Sequence, residues 1–363
     1  ELVDERRDDR LSRVWRWVGP AWYQRTLQVP DRWKGTRIGL VLERTKDSQV
    51  WIDDVWVGGD DSLSTPHRFD LSDHLTPGTH RLTVLVDNAK LPPVGPCHQV
   101  DERTQTNWNG IVGRIELTVS AAVGLGGVQL YPSAADRRVR VVASVRNSTS
   151  TESPAALIIR AFDGRTGAEL AEDEADVVLA PRTTREVTCD LVLPTSTRLW
   201  DEFDRPVVKV VAHTSAPVTD ATGGTTLVRD AYPATCGMRD FAADGNRLVI
   251  NGRRIFLRGK HDAALFPLTG YAPMDKAEWL RLLGISASYG MNHYRFHSWC
   301  PPEAAFEAAD DLGIYFQVEL PNKRPITAPG DPDRLPPAAA YETLEELAGD
   351  GGDPAERTTF LIG

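Results

Sequence analysis

Side chains that can bind or move protons recur at three places in the C-terminal third of the sequence, each next to a short apolar run. They are Lys260, His261 and Asp262; then Arg295, His297 and Trp299; and finally Glu319 and Asn322. Imidazole, guanidinium, amide and carboxylate groups can hold a polar ligand or transfer a proton. A hydrophobic core would favour apolar side chains at such positions. The recurrence therefore predicts a ligand site.

Two other uses of these residues stay open. Arg295 and Glu319 could form part of a buried network of ion pairs and hydrogen bonds that only holds the strands together. His261 and His297 could bind a metal ion with Asp262 or Glu319, but the two histidines share no short metal-binding motif. We predict no metal and no cofactor.

The elements that must position these residues alternate between strand and helix. We predict strands over 254–258, 294–296 and 314–320. Asp275 can cap a first helix, with Glu278 three residues later, and Gly290 ends it; Pro301-Pro302 begins a second helix, which Gly313 ends. Parallel βα units bring the carboxyl ends of their strands to one edge, where barrels build their ligand sites. A complete barrel takes roughly 250 residues, so we expect an incomplete (β/α)8 TIM barrel over 233–363 that ends before its fourth strand.

The preceding residues are typical of antiparallel β-structure. Short strand-like runs separated by turn residues predict a jelly-roll sandwich over 1–120, with a hairpin turning at Asp53-Asp54. Over 121–232 the alternation of Val139, Val141, Ala143 and Val145 with more polar neighbours favours an immunoglobulin-like β-sandwich. This second sandwich shows no catalytic constellation, and we interpret it as a spacer.

Composition limits the partners of the chain. The formal net charge of −10 argues against nucleic-acid binding. There is no apolar run near the roughly 20 residues that a membrane span needs, and no visible signal peptide. The four cysteines form no CxxC pair, so neither a zinc site nor a dense disulfide framework is indicated. We expect a soluble protein. The compartment, cytoplasmic or secreted, and the formation of a homo-oligomer stay open.

Several short motifs occur in an order known from one enzyme family. They are Ala21-Trp22-Tyr23-Gln24-Arg25, Trp33-Lys34-Gly35, Phe69-Asp70-Leu71, Val86-Asp87-Asn88, Gly237-Met238-Arg239, Ile250-Asn251-Gly252, Phe256-Leu257-Arg258-Gly259 and Asn292-His293-Tyr294-Arg295. In this order the sequence resembles the N-terminal portion of family 2 glycoside hydrolases, which include β-galactosidases, β-glucuronidases and β-mannosidases. The resemblance implies a carbohydrate substrate and retaining, exo-acting hydrolysis of glycosidic bonds.

The same resemblance limits which residues can be assigned. The family's acid/base glutamate follows an asparagine near the end of the fourth barrel strand, whereas this sequence contains no Asn-Glu dipeptide. We therefore expect a fragment that lacks both catalytic glutamates and is inactive alone. Arg295, Glu319 and Asn107 match substrate-rim residues of the family. His261-Asp262-Ala263-Ala264 replaces the family's Asn-Arg-His-Glu, so the glycone is not inferred.

A different class of function remains as the alternative. The chain could be a non-catalytic carbohydrate-binding protein that uses its jelly roll. The three βα units favour the enzyme, because a binding module would leave their apolar faces and strand edges without partners. Ten tryptophans, most of them in the first 110 residues, are expected to pack inside the sheets, with stacking on sugar rings as the less favoured use.

Overall fold

The computed structural model describes residues 17–90, 98–99, 106–219 and 223–319. Within these residues the protein is mostly β-structure, with twenty strands and only two α-helices. None of the described helices is long and apolar enough to cross a membrane. The strands form two antiparallel sandwiches in succession, followed by a small antiparallel sheet and a parallel sheet that carries both helices.

Seven strands form the first sandwich. They are β1 (Pro20–Val29), β2 (Arg37–Leu42), β3 (Asp47–Ile52), β4 (Val55–Asp60), β5 (His67–Asp70), β6 (Gly78–Asp87) and β7 (Ile115–Ser120). One sheet has the order β1-β6-β3-β4 and the other β5-β2-β7. Alternate residues such as Val50, Val84 and Leu40 point inward and form one buried cluster, as expected for strands with one face on a core.

The predicted hairpin at Asp53-Asp54 is confirmed. Ile52 pairs with Val55, which leaves two residues in the turn. Asp53 adopts a φ of 53°, a left-handed conformation that aspartate tolerates better than most residues. Its carboxylate also accepts hydrogen bonds from the Arg81 backbone N–H at 2.8 Å and from His80 Nδ1 at 2.9 Å. The turn is therefore tied to the neighbouring strand β6.

The expectation that the N-terminal tryptophans pack inside the sheets is wrong for three of the six that the structure describes. Trp108 is buried, but Trp17, Trp22 and Trp56 are more than half exposed. The reason is the two-residue alternation of a strand. In β1 and β6, Tyr23 pairs with the core residue Val84, so Trp22 points to the opposite, outer face.

The second sandwich is built from the next seven strands. They are β8 (Val123–Ser133), β9 (Arg138–Asn147), β10 (Ser153–Asp163), β11 (Glu169–Leu179), β12 (Thr183–Val192), β13 (Val207–Thr219) and β14 (Thr225–Gly237). Its sheets have the orders β11-β10-β13-β14 and β12-β9-β8. The predicted alternation is confirmed, since Val139, Val141, Ala143 and Val145 are fully buried in a core of almost purely aliphatic side chains.

A small antiparallel sheet corrects one predicted strand. It contains β15 (Phe241–Asp244), β16 (Arg247–Ile250) and β17 (Arg253–Ile255). The predicted strand over 254–258 is therefore split. Its first residues pair with β16, and Phe256 is exposed. The parallel sheet begins only at Gly259. Ile255 and Leu257 pack in the cluster around Trp200 and Tyr315.

Two βα units complete the described chain. The parallel strands are β18 (Gly259–Asp262), β19 (His293–Phe296) and β20 (Tyr315–Val318), in that order across the sheet; α1 (Lys276–Ser288) and α2 (Glu303–Leu312) connect them. The Asp275 cap is confirmed, because its side chain accepts from Glu278 N at 2.8 Å. Gly313 follows α2 with a φ of 71°, as the predicted helix end requires.

Candidate functional site

The carboxyl ends of the three parallel strands lie side by side. Asp262 pairs with Phe296, and Phe296 pairs with Val318. The ladder continues one residue further, because His297 N donates to the Asp262 carbonyl at 2.8 Å and Glu319 N donates to the Phe296 carbonyl at 3.1 Å. The structure thus brings most of the described candidate residues to one edge of the sheet.

The two faces of this parallel sheet have opposite chemistry. On the face toward α1 and α2, Tyr294, Phe296 and Phe316 are buried in an aromatic cluster. On the other face, His261, Arg295 and Gln317 are directly adjacent in register. We call this second surface, made of His261, Arg295, His297, Gln317 and Glu319, the polar face. Strand alternation alone accounts for the separation.

Arg295 and Glu319 form the central ion pair of the polar face, through Arg295 Nη2 and Glu319 Oε1. Glu319 Oε2 also accepts from the Ser298 backbone N–H at 3.0 Å and lies 3.9 Å from His297 Nε2. Because its two oxygens have different partners, the carboxylate is held in one orientation. The arginine remains partly exposed, with 45% of its side chain accessible. Its guanidinium can therefore meet a ligand as well as Glu319.

Three imidazoles lie next to this pair. The rings of His261 and His297 are 4.7 Å apart, and His98, from the connection between β6 and β7 of the first sandwich, places Nε2 3.3 Å from His297 Nδ1. Neutral imidazoles can donate and accept hydrogen bonds. Among the residues that the structure describes, no group of three or more His, Cys, Asp or Glu side chains is arranged to hold a metal ion.

Asp262 and Trp299 are not part of the polar face. The Asp262 carboxylate accepts from Ala264 N at 3.0 Å, and its carbonyl accepts from Trp299 Nε1 at 3.2 Å. Trp299 is fully buried, with its ring against Phe296 and Phe266. The prediction that Trp299 lies on a ligand rim is corrected: large aromatic rings gain most by burial, and this one supports the strand ends from the helix side.

The segment with Asn107 reaches the site from the first sandwich. Asn107 is buried, and the hydroxyl of its neighbour Thr106 donates to the Ala264 carbonyl in the loop after β18. Trp108, also buried, receives the Lys46 ammonium over its ring at 4.2 Å. Asn107 is therefore close to the end of β18 but enclosed. The remaining candidate, Asn322, lies outside the described residues.

A buried polar loop that the sequence did not indicate joins the first sandwich to the βα units. Glu43, Arg44, Thr45 and Lys46 lie between β2 and β3 and are all buried. Arg44 Nη1 donates to the Cys300 carbonyl at 3.1 Å, and burial lowers the pKa of this guanidinium. Charged loop residues usually indicate a solvated turn. Here Glu43 pairs with Arg114 and Lys46 lies over Trp108, both in the first sandwich, and Arg44 alone of these contacts reaches the βα units.

Gln317, His98 and Ser298 were also missed in the sequence. Gln317 could have been found from its spacing, since it lies two residues before Glu319 on the same strand and so shares its face. Ser298 has a φ of 58°, which aims its backbone N–H at Glu319. His98 is 199 residues from His297 in the chain, and no local pattern links the two.

Comparisons with known proteins agree with this architecture. Residues 12–119 match the family described as "Glycosyl hydrolases family 2, sugar binding domain". The chain is 22% identical over 317 residues to a β-glucuronidase of Paenibacillus borealis, covering 84% of this chain and 50% of the relative. It is 24% identical over 339 residues to the human β-glucuronidase, covering 86% and 50%. The chain thus spans about half the length of these curated relatives.

A solved structure gives the same comparison in three dimensions. The β-glucuronidase 2 of Bacteroides uniformis, solved with a covalently bound cyclophellitol-6-carboxylate aziridine, aligns with a TM-score of 0.69 at 21% identity. The alignment covers 87% of this chain and 38% of that one. At this identity the likeness is one of fold.

Proposed function

We propose that this chain, whose residues 12–119 match the sugar-binding domain of family 2 glycoside hydrolases, is the N-terminal portion of a retaining, exo-acting glycosidase and supplies part of its substrate rim. In this proposal residues 1–120 are the jelly-roll domain and residues 121–232 an immunoglobulin-like spacer. Residues 233–363 begin a (β/α)8 barrel. The observation that carries the proposal is the polar face, where three neighbouring parallel strands present hydrogen-bonding groups at one edge.

The roles of the rim residues follow from their contacts. Arg295 is fixed by Glu319, which Ser298 holds in turn, so its remaining N–H groups can donate to sugar hydroxyls. His261 and Gln317 flank it in register and can donate or accept. Asp262 acts one layer behind, because its carboxylate accepts from Ala264 N and so fixes the loop after β18. Asn107 is enclosed next to Thr106, whose hydroxyl donates to the same loop. Trp299 acts only as a packing residue.

The charge of the polar face bears on the substrate. Arg295 and Glu319 neutralise each other, so the face offers hydroxyl recognition without a net charge of its own. The bond-breaking carboxylates are not assigned to any residue of this chain. In the retaining scheme two carboxyl groups about 5 Å apart attack the anomeric carbon and protonate the leaving oxygen. We propose that both groups are supplied from outside these 363 residues.

The experiment compares hydrolysis by two proteins. One is the 363-residue chain; the other is an extension that supplies the family's two glutamates. Both are assayed for release of p-nitrophenol from β-galactoside, β-glucuronide, β-mannoside and α-arabinoside substrates. We expect turnover by the extended protein alone, with retention of configuration in the first-formed sugar. Turnover by the 363-residue chain would show that catalytic carboxylates lie within it, contrary to the proposal.

A variant pair tests the rim itself in the extended protein. Arg295→Ala should lower kcat/KM by about 100-fold or more, since a guanidinium that donates to the substrate would be lost. The matched control is Arg281→Ala on α1, whose guanidinium pairs with Glu278 at 2.5 Å away from the polar face. Equal activity of the two variants would show that Arg295 does not contact the substrate.

A further inference from the structure

The outer surface of the sheet β1-β6-β3-β4 carries a row of aromatic and amide side chains. We call it the tryptophan face. Its members project from all four strands on the side opposite the core: Trp22 and Gln24 from β1, Thr83 and Leu85 from β6, Gln49 and Trp51 from β3, and Trp56 from β4.

Strand register brings the three tryptophans together. Trp51 is directly opposite Trp56 across β3 and β4. Trp22 lies one row away, with its ring centroid 5.4 Å from that of Trp51 at an interplanar angle of 39°. Directly paired residues on antiparallel strands share a face, so the three tryptophans form an aromatic strip in which Trp22 contacts Trp51 and Trp56 lies on the next strand.

The strip is open to solvent. Trp22 is 62% exposed and Trp56 is 58% exposed, whereas Val50 and Val84 on the inner face are buried. Apolar patches of this kind on a folded protein mark binding surfaces, because exposing them to water is unfavourable. Tryptophan is well suited to such a role since it offers a large flat ring and an N–H donor.

The polar groups around the strip indicate an uncharged ligand with many hydroxyls. Gln24 Nε2 donates to the Thr83 hydroxyl at 3.1 Å, which orients one amide beside the rings. The charged residues at the borders include two ion pairs, Arg81 with Asp54 at 2.6 Å and Lys90 with Asp47 at 3.3 Å, and a further carboxylate, Asp87, opposite Asp47. The face therefore combines aromatic planes with amide groups, and the described charges at its borders give no positive surplus that would attract an anionic partner.

We propose that the tryptophan face binds a neutral oligosaccharide or polysaccharide chain, as a second carbohydrate site separate from the polar face. The apolar C–H faces of pyranose rings stack on Trp22, Trp51 and Trp56, and the hydroxyls at the ring edges bond to Gln24 and Gln49. Neighbouring strands are about 4.8 Å apart, so β1 and β4 are separated by roughly 14 Å, which suits several linked sugars better than one.

Binding at this face needs no bond breaking and can be tested on the chain itself. Affinity electrophoresis through gels that contain β-mannan, xylan, mixed-linkage β-glucan or polygalacturonate measures retardation of the folded protein. We expect retardation by at least one neutral polysaccharide and none by the acidic polygalacturonate. Titration of tryptophan fluorescence with oligosaccharides of the retarding polymer then gives the affinity.

Substitutions distinguish binding at the tryptophan face from binding at the polar face or elsewhere on the surface. Trp22→Ala/Trp56→Ala should weaken binding by at least about tenfold, as loss of tryptophan anchors does at other interfaces. Tyr289→Ala is the matched control, because Tyr289 is an exposed aromatic at the end of α1, away from the face. Arg295→Ala should also bind normally, so failure here and failure of the proposed glycosidase function are distinguishable. Circular dichroism verifies that each variant is folded.

Three outcomes would overturn the proposal. One is the absence of retardation by every polysaccharide, and another is equal retardation of the parent and of Trp22→Ala/Trp56→Ala. The third is a concentration-dependent dimer that this double variant abolishes, measured by light scattering, which would assign the face to a second copy of the chain.

Discussion

The same two-residue alternation serves different purposes in two regions of the molecule, the core of the second sandwich and the parallel sheet β18-β19-β20. In the sandwich, inward residues such as Val141, Leu157 and Ile159 are aliphatic and fully buried. In the parallel sheet, Phe296 is fully buried on the helix side, and its neighbour Arg295 lies on the polar face. The sandwich core consists of residues that serve stability, whereas the parallel sheet divides stability and binding between its two faces.

This difference implies that stability and activity are separable within single strands of the parallel sheet. Residues one position apart should have opposite mutational effects, because one packs against helices and the next meets solvent or ligand. In the second sandwich, by contrast, substitutions on the inner face should affect stability alone. Each of the following substitutions tests one side of this contrast.

Phe296→Ala should have the largest effect on stability. Its ring contacts those of Phe316 at 4.7 Å and Trp299 at 5.0 Å between centroids, and truncation of a buried phenylalanine costs about 4 kcal/mol. Urea denaturation followed by tryptophan fluorescence measures the loss. Phe256→Ala is the control, because Phe256 is exposed and its removal should change the free energy of unfolding little. A loss below about 1 kcal/mol for Phe296→Ala would contradict the packing described.

Ile159→Ala should destabilise the second sandwich by about 3 kcal/mol, because it leaves a cavity in a close-packed aliphatic core. Ile159 is fully buried in the middle of β10, whereas Val178 on the neighbouring β11 is exposed. Val178→Ala is therefore the matched control for lost methyl groups without a cavity. Both are compared by thermal denaturation. In the extended enzyme, an altered kcat/KM in folded Ile159→Ala would show that the sandwich does more than support the fold.

Asp310→Asn tests the junction between the second sandwich and the βα units. Asp310 on α2 lines a cavity of about 260 Å³ with Leu130 and Pro132 of the second sandwich and with Arg239. Burial raises the pKa of Asp310 from 3.8 to about 6, against the opposing effect of Arg239. The ionised form is therefore less favourable in the folded state, and stability falls as the pH rises from about 4 to about 6.

The asparagine variant should be more stable than the parent above pH 6, and the difference should vanish below about pH 4, where the carboxyl is protonated in both states. The rise of about two pKa units, which already includes the opposing effect of Arg239, sets an upper limit of about 3 kcal/mol on this difference. Denaturation at pH 3.5, 5.5 and 7.5 provides the measurement. A parent that is more stable at pH 7.5 would mean that the carboxylate and Arg239 form a net stabilising pair.

Arg295→Ala should have the smallest effect on stability, below about 1 kcal/mol, because its ion pair with Glu319 is partly exposed. The contrast with Phe296→Ala, one residue away, is the sharpest test of the two-faced sheet. Denaturation of both variants under the same conditions suffices. A cost for Arg295→Ala close to that of Phe296→Ala would favour the structural ion-pair network over a ligand rim.

Local patterns in the sequence determined much of the fold. The turn at Asp53, the cap at Asp275, the helix end at Gly313 and the alternation in β9 each depend on residues only a few positions apart. Such short-range rules follow from backbone geometry. They also predicted that Arg295 and Glu319 would lie at one edge of the sheet, because parallel strands linked by helices have their carboxyl ends there.

Only the tertiary structure decided which side chains of these segments face a ligand. Periodicity separates two faces of a strand but does not say which of them another layer will cover. Hence Trp299 was expected on the rim and is in the core, while Trp22 and Trp56 were expected inside and lie outside. The contacts of His98 with His297 and of Thr106 with Ala264 join residues more than 150 positions apart. Such contacts arise from the packing of whole layers against each other, which no local sequence pattern encodes.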